Sequence, residues 1–171
     1  MKNVDVMRAA VLMGHGAIDQ LHVREDMPIP RPGSGEVLIR VGASAVNNTD
    51  INTRVGWYSQ GRNDADAAWS GNPMKFPRIQ GADCCGQITS VGSAIDPARI
   101  GERVLVRTMQ EPLSVDGNLI PITLGSEIDG AFAEYLSVRA SEAFVIDSPL
   151  DDAELASFPC SYSTAEGLLQ R

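Results

Sequence analysis

The sequence predicts a mainly β domain whose short strands form a barrel or a sandwich, and three observations support this. A chain of 171 residues has room for one full domain. Its 16 glycines and 10 prolines suit strands and turns better than a helical bundle. Seven short runs alternate apolar and polar residues between turn residues, which predicts strands at 8–13, 21–26, 36–47, 83–92, 102–109, 130–138 and 143–146.

A long polar stretch at residues 56–77 interrupts the strand pattern and predicts a loop. Loops of this length in compact domains are usually functional or disordered. Its aromatic side chains Trp57, Tyr58 and Trp69 could form the wall of a substrate cleft. Alternatively, the two tryptophans only fasten the loop to the domain.

The last part of the chain predicts helices. Asp151 and Asp152 follow a Ser-Pro pair, and acidic residues are favourable in the first turn of a helix. Ser163 and Glu166 have the spacing of a capping box, which predicts that a second helix begins there.

The apolar pair Leu168 and Leu169 lies at the end of the second predicted helix. The face of an amphipathic helix needs a surface to pack against, and the sequence does not supply one. We therefore expect the chain to be the first half of a larger protein.

Charge and hydropathy narrow the class of function. The formal net charge is −8 and no cluster of Lys and Arg is present, so a nucleic-acid or anionic-membrane surface is not expected. The chain shows neither a signal-peptide pattern nor an apolar run long enough to span a bilayer. These features indicate a cytoplasmic protein that acts on a small molecule.

The adjacent cysteines Cys84 and Cys85 raise the question of a metal site or a redox pair. Neighbouring residues on a strand point to opposite faces, so the two thiols cannot jointly bind one metal ion. Free cysteine behaves as a small hydrophobic residue and is often buried. The sequence therefore predicts that both pack as core residues.

A set of segments carries a resemblance to a known family: GEVLIRVGASAVNNTD, FPRIQGADCCGQITSVG, IGERVLV, GAFAEYLSV and FPCSYSTAEGLL. Together they resemble the N-terminal catalytic domain of the medium-chain dehydrogenase/reductase superfamily, which includes zinc alcohol dehydrogenases and zinc-free quinone oxidoreductases. The resemblance implies a GroES-like, partly open β-barrel with a few short helices at residues 1–147. It also implies a helical connection at 148–171 that leads to a nucleotide-binding domain not present in this chain.

The resemblance also bears on metal content. The positions that match the zinc ligands of alcohol dehydrogenases are Asn47, Ala82 and Cys160, so one ligand of three remains. A catalytic zinc ion normally has three protein ligands. The segment 107–130, which matches the structural zinc lobe, contains no cysteine. No zinc is expected, although Asp83 with Cys160 leaves an atypical site as an alternative.

By the same resemblance, the sequence is that of a zinc-independent oxidoreductase that uses NADP or NAD to reduce a quinone or an activated carbonyl such as an enone. Asn47 and Asp50 match the V-N-x-x-D pattern of zinc-free quinone oxidoreductases. This places Asn47 beside the nicotinamide or the substrate oxygen. The alternative for Asn47 is a side chain that bonds the backbone at a corner between strand and helix. Asp50 is predicted to cap the following helix.

Other candidate site residues follow from the resemblance, except Tyr58. Thr49 matches the hydroxyl that relays protons in alcohol dehydrogenases, with a helix cap as the alternative role. Tyr58 is a candidate from its place on the long loop, either as a second proton donor or as a residue of the cleft wall. Asn47, Thr49 and Tyr58 are thus the catalytic candidates. The candidates for cofactor binding are Asn47, Asn48, which replaces a basic residue that contacts pyrophosphate in many relatives, and Thr164.

The choice between NAD and NADP and the identity of the substrate stay open, because the residues that select the cofactor lie in the expected second domain. The resemblance implies a homo-oligomer for the full-length protein. Two other functions are retained as alternatives. One is an alcohol dehydrogenase with an atypical zinc site, and the other is a GroES-like binding module without catalysis.

Overall fold

The computed structural model describes residues 5–59, 72–115 and 117–170 of the chain. Within these ranges it contains ten β-strands and three α-helices. The strands are β1 (Val6–Leu12), β2 (Leu21–Pro28), β3 (Glu36–Ala43), β4 (Arg78–Ile79), β5 (Cys85–Val91), β6 (Arg103–Val106), β7 (Met109–Val115), β8 (Asn118–Thr123), β9 (Tyr135–Arg139) and β10 (Ala143–Val145), and the helices are α1 (Asn48–Arg54), α2 (Asp152–Ala156) and α3 (Pro159–Leu169).

The strands form a partly open barrel. A five-stranded antiparallel sheet has the order β10-β6-β5-β3-β9, and a three-stranded sheet has the order β2-β1-β4. A bridge between Ala9 and Ala133 joins β1 to the segment that leads into β9. β7 and β8 pair only with each other among the described strands, so they form a separate hairpin on the barrel.

The main core lies inside the five-stranded sheet. β3 alternates buried and more exposed residues, as expected for a strand that faces the core on one side. Ile39 pairs with Ile88 of β5 and with Leu136 of β9, and all three side chains are buried. Val37, Val104 and other aliphatic residues complete the cluster.

Cys84 and Cys85 point to opposite sides of the sheet. Cys84 packs in the main core, whereas Cys85 contacts Leu155 and Ala156 of α2 on the other side. Both thiols are free and fully buried. The prediction that they are packing residues is confirmed.

All seven predicted strands are present, but three are clearly shorter than predicted. The strand predicted at residues 36–47 ends at Ala43, that predicted at 102–109 ends at Val106, and that predicted at 130–138 begins only at Tyr135. Three strands were not predicted: the short β4 and the hairpin of β7 and β8. The hairpin occupies the segment that matches the structural zinc lobe of alcohol dehydrogenases. Its signal was an Asp-Gly pair between alternating residues, and Gly117 adopts a positive φ of 79° at the turn.

The backbone crosses itself closely at Gly81, just before the residues of the candidate site. Gly81 has a φ of 108°, and its carbonyl oxygen accepts a hydrogen bond from the Ala131 amide. A Cβ atom at Gly81 would lie 2.5 Å from the backbone nitrogen of Phe132. Only glycine fits at this crossing without displacing the backbone.

The two predicted helices are present, but one begins earlier than expected. Asp151 caps α2 and forms a capping box with Glu154. α3 begins at Pro159, so the prediction that Ser163 opens this helix is wrong. The helix begins earlier because proline is preorganised for the first helical position. Ser163 therefore lies inside α3, where its hydroxyl donates to the Pro159 carbonyl. None of the helices in the described ranges has the length and apolar character needed to cross a membrane.

Candidate active site

The N-terminus of α1 is built around Asn47. The Oδ1 atom of Asn47 accepts a hydrogen bond of 2.8 Å from the Asn48 amide, and Asp50 accepts one of 2.8 Å from the Asn47 amide. The two side chains form a capping box in which Asn47 is the N-cap and Asp50 lies at N3. Asp50 therefore takes part in the cap, but the prediction that it caps a helix beginning after it is wrong, because α1 already begins at Asn48. Asn47 therefore does bond the backbone at the corner between strand and helix, while its Nδ2 atom remains for other partners.

Asp50 also fastens α1 to the segment that follows Gly81. Its second carboxylate oxygen accepts a bond of 3.0 Å from the Ala82 amide, and its carbonyl accepts one of 3.0 Å from Gln80 Nε2. Asp50 is buried, and burial raises the pKa of this carboxyl to about 6. The bonds from backbone amides oppose this shift without cancelling it.

The pKa of Asp50 predicts that its contribution to stability depends on pH. The folded protein holds the proton of Asp50 more tightly than the unfolded chain, so this stability is present below about pH 4 and is lost as the pH rises to about 6. The loss is at most about 3 kcal/mol, at 1.4 kcal/mol per pKa unit. We expect the unfolding free energy of the wild type to fall relative to that of Asp50→Asn over this range, because the asparagine does not titrate. Urea titrations at several pH values would measure this.

Asp26→Asn is the control for this titration. Asp26 lies on the surface beside Arg24, whose hydrogen bonds lower the pKa of the Asp26 carboxyl. Its pH dependence therefore has the opposite sign: the contribution of Asp26 grows as the pH rises towards about 4 and is complete above it. The difference in unfolding free energy between the wild type and Asp26→Asn should thus stay constant from pH 4 to pH 6. A difference between wild type and Asp50→Asn that stays constant from pH 4 to pH 6 would contradict a raised pKa at Asp50.

Asp83 is the centre of a polar network that joins three parts of the chain. Its Oδ1 atom accepts a hydrogen bond of 2.7 Å from the Cys160 amide in α3, and Oδ2 lies 3.5 Å from Asn47 Nδ2. Asn47 Nδ2 also donates to Ser161 Oγ at 3.1 Å. Asp83 is fully buried, and burial raises the pKa of its carboxyl. Residues 36, 77 and 114 positions apart in the sequence thus meet at one place.

The half-buried thiol of Cys160 lies at the edge of this network. Its pKa is raised to about 11, by burial first and then by the negative charges of Asp83 and Asp50. A thiol with this pKa stays protonated at neutral pH. It is therefore a poor nucleophile and would have to lose its proton to bind a metal ion.

The side chains at this place do not fit a zinc ion. Of the three positions that match zinc ligands, Ala82 has no donor atom and Asn47 presents an amide N–H group to Asp83. One oxygen of Asp83 is already bonded to the backbone of Cys160. In the described parts of the chain, no group of three or more His, Cys, Asp or Glu side chains has the spacing of a metal site. The absence of zinc from the working protein stays a prediction.

Two candidate proton donors lie in direct contact. The hydroxyl groups of Thr49, in the first turn of α1, and Tyr58, just after that helix, are 3.0 Å apart. Both side chains are half-buried, and the ring of Trp57 packs edge-on against that of Tyr58 at 5.4 Å. Trp57 itself is 54% exposed, and Trp69 lies outside the described residues.

The residues predicted to bind the cofactor lie on the exposed side of the network. Asn48 is exposed at the start of α1. Thr164 is exposed on α3, and its Oγ1 atom donates to the Cys160 carbonyl at 2.8 Å, so that only the lone pairs of this hydroxyl remain free. Ser161, one helical turn before Thr164, was not predicted, because nothing in its sequence context marks it.

A cavity of about 620 Å³ lies elsewhere, beside the β7–β8 hairpin. Its lining includes Met27, Leu113, Ile122 and Tyr135 but none of the predicted site residues. The predicted site residues do not line this cavity: Asn47 lies in the polar network, and Thr49 lies in the first turn of the helix that Asn47 caps and contacts Tyr58. We therefore locate the candidate active site at the N-termini of α1 and α3.

Comparison with known proteins gives the following results. A family model described as the alcohol dehydrogenase GroES-like domain matches residues 33–148. A Sinorhizobium meliloti 1021 protein assigned to the alcohol dehydrogenases has a similar structure, with a TM-score of 0.85 and 40% identity over 97% of this chain and 47% of that one.

Two curated relatives illustrate the range of activities. The chloroplastic NADPH-dependent alkenal/one oxidoreductase of Arabidopsis thaliana is 27% identical over 165 residues, which cover 96% of this chain and 37% of the relative. The sorbitol dehydrogenase of Bacillus subtilis (strain 168) is 32% identical over 146 residues, which cover 77% and 37%. The chain thus spans less than half the length of either relative.

Proposed function

Because the chain belongs to the alcohol dehydrogenase GroES-like domain family, we propose that it is the substrate-side domain of a zinc-independent, nicotinamide-dependent oxidoreductase. The expected family resemblance and the GroES-like barrel are confirmed. The relatives named above are oxidoreductases. The reaction we propose is hydride transfer to a quinone or to an α,β-unsaturated carbonyl compound.

The arrangement of donor atoms around Asp83 carries this proposal. A simple ketone needs strong polarisation of its oxygen before it accepts a hydride, and a zinc ion is one means of providing it. The side chains at 47, 82 and 160 do not offer three ligands for such an ion. Quinones and enones accept hydride into a conjugated system, so hydrogen bonds and a proton donor are enough to stabilise the developing charge.

The hydroxyl groups of Thr49 and Tyr58 supply that donor. A nicotinamide cofactor supplies the hydride when it is bound. Thr49 can donate to the oxygen of Tyr58, which leaves the phenol hydrogen for the substrate oxygen. Tyr58 then gives its proton to the enolate or phenolate as that charge develops.

Asn47 has a different part in this scheme. Its Nδ2 atom already donates to Ser161 and faces Asp83, so it can reach a substrate or a nicotinamide amide only by exchanging one of these partners. Asn48 and the oxygen of Thr164 are the exposed groups of this chain that would contact the cofactor. These roles suit a cofactor bound mainly by another domain.

An alcohol dehydrogenase with an atypical zinc site is the second candidate. The observation in its favour is that Asp83 and Cys160 lie beside each other, although their contact is made through the Cys160 backbone. A non-catalytic binding module is the third. Measurement of metal content and of activity in one preparation separates the three.

The decisive experiment uses the full-length protein that contains this domain. We expect it to oxidise NADPH or NADH when a quinone or an enone is added, with the same rate before and after treatment with a chelator. Stoichiometric zinc together with loss of activity on chelation would favour the atypical zinc site. A correctly folded preparation that binds its cofactor but transfers no hydride to either acceptor class would contradict the proposed reaction.

A further inference from the structure

Helix α3 has no N-terminal cap of its own. Phe158 occupies the N-cap position and its side chain cannot accept a hydrogen bond. Pro159 follows as the first helical residue and has no N–H group. The first backbone donor of α3 is therefore the amide of Cys160, which needs a partner from elsewhere in the chain. Asp83 provides that partner, at 2.7 Å from a position 77 residues away.

Asp83 is itself held rigidly. Its carbonyl accepts a hydrogen bond of 2.6 Å from Ser44 Oγ. The preceding residue, Ala82, is fixed from both sides, since its amide donates to Asp50 and its carbonyl accepts from Thr108 Oγ1 at 2.9 Å. The close crossing at Gly81 lies one residue further back. The carboxylate is thus presented by a segment that cannot easily move.

The two oxygens of Asp83 serve two different helices. Oδ1 bonds α3 through Cys160, and Oδ2 faces Asn47 Nδ2 at the start of α1. Asn47 Nδ2 also donates a hydrogen bond to Ser161 Oγ in α3, so the two helices are linked directly as well as through Asp83. Thr164, one turn along from Cys160 and bonded to its carbonyl, takes its position from this arrangement.

We propose that Asp83 is a positioning residue whose carboxylate clamps the N-terminal end of α3 to the start of α1. The clamp sets where Asn47 and Thr164 face the cofactor. This last consequence rests on the proposed function, whereas the clamp itself does not. Asp83 acts through Asn47 and α3 and need not touch the substrate.

An exchange of the two side chains tests the clamp. Asp83→Asn has one acceptor oxygen for two facing donors, the Cys160 amide and Asn47 Nδ2. Asn47→Asp keeps an oxygen for the cap of α1 but turns a second carboxylate towards Asp83. The double variant restores one donor and the required acceptors. Its new amide at position 83 can accept from the Cys160 backbone and donate to the new carboxylate at position 47.

The measurement is amide hydrogen exchange of Cys160 in the full-length protein. We expect each single variant to accelerate exchange at Cys160 about tenfold or more, and the double variant to return it close to the wild-type rate. The amide of Glu154 is the internal control, since Asp151 caps it in α2 and neither substituted side chain bonds it. Asp152→Asn, which removes the negative charge that pairs α2 with Arg103, should leave Cys160 unaffected.

The outcomes separate the clamp from the proposed reaction. Unchanged exchange at Cys160 in Asp83→Asn, or a double variant no better than the sum of the singles, would overturn the clamp. Hydride transfer is assayed on the same samples. If the double variant regains protection of Cys160 but not turnover, the clamp stands and the amide of Asn47 is needed for the reaction. Wild-type protein that transfers no hydride would count against the proposed function alone.

Discussion

Tyr58→Phe is expected to lower kcat for quinone or enone reduction about 100-fold, the lower end of the effect of a positioned proton donor. The variant removes only the hydroxyl that lies 3.0 Å from Thr49, while the ring can keep its packing against Trp57. The loss corresponds to about 2.7 kcal/mol of transition-state stabilisation. Steady-state kinetics of the full-length protein would measure it.

Two variants control this experiment. Tyr135→Phe removes the hydroxyl of another half-buried tyrosine, one that lines the cavity beside the β7–β8 hairpin, and should leave kcat unchanged. Thr49→Val removes the partner of Tyr58 and should add little to Tyr58→Phe in the double variant, because paired groups act non-additively. A kcat for Tyr58→Phe within twofold of wild type would show that the proton comes from elsewhere.

Gly81→Ala is expected to destabilise the protein by about 4 kcal/mol. About half comes from forcing an alanine to a φ of 108°, and the rest from a Cβ atom placed 2.5 Å from the Phe132 nitrogen and 2.8 Å from that of Ala131. These neighbours are backbone atoms of the opposite segment, which cannot move without breaking their hydrogen bonds to the carbonyls of Gly81 and Gln80. Urea or thermal unfolding would measure the loss.

Gly101→Ala provides a matched control for Gly81→Ala. Gly101 also has a positive φ, of 94°, but a Cβ atom there would meet nothing within 4 Å. It should therefore lose only the conformational part, about 1 to 2 kcal/mol. Equal losses for the two variants would mean that the crossing relaxes and that its close approach has little energetic weight.

The barrel could be predicted largely from local patterns. The alternation in residues 36–43 is produced by one strand that faces the core on one side, and such a pattern needs no knowledge of the rest of the chain. The β7–β8 hairpin was missed although its Asp-Gly turn is a strong signal, because Pro112 and Pro121 interrupt the pattern in both strands. The capping-box pattern at Ser163 gave a wrong start for the last helix, because Pro159 begins that helix one turn earlier.

The candidate site was less predictable, because its geometry depends on contacts between distant segments. The resemblance named Asn47 and Thr49, whereas Tyr58 was a candidate from its place on the long loop. The contact between Thr49 and Tyr58 is local, since the two residues are nine positions apart. The role of Asp83 could not be predicted from the sequence, since the partners of its carboxylate depend on how α3 packs against the barrel. Ser161 carries no motif and becomes a partner of Asn47 only through that packing.

The opposite orientation of Cys84 and Cys85 has a consequence for oxidative damage. Oxidation of a cysteine proceeds through its thiolate and requires access for the oxidant. Cys84 is enclosed by the core, and burial raises the pKa of both thiols, that of Cys85 to about 11. Peroxide therefore finds neither an ionised sulfur nor a path to one, and the two sulfurs lie on different sides of the sheet. The two adjacent cysteines of the barrel are therefore expected to resist oxidation as long as the domain stays folded.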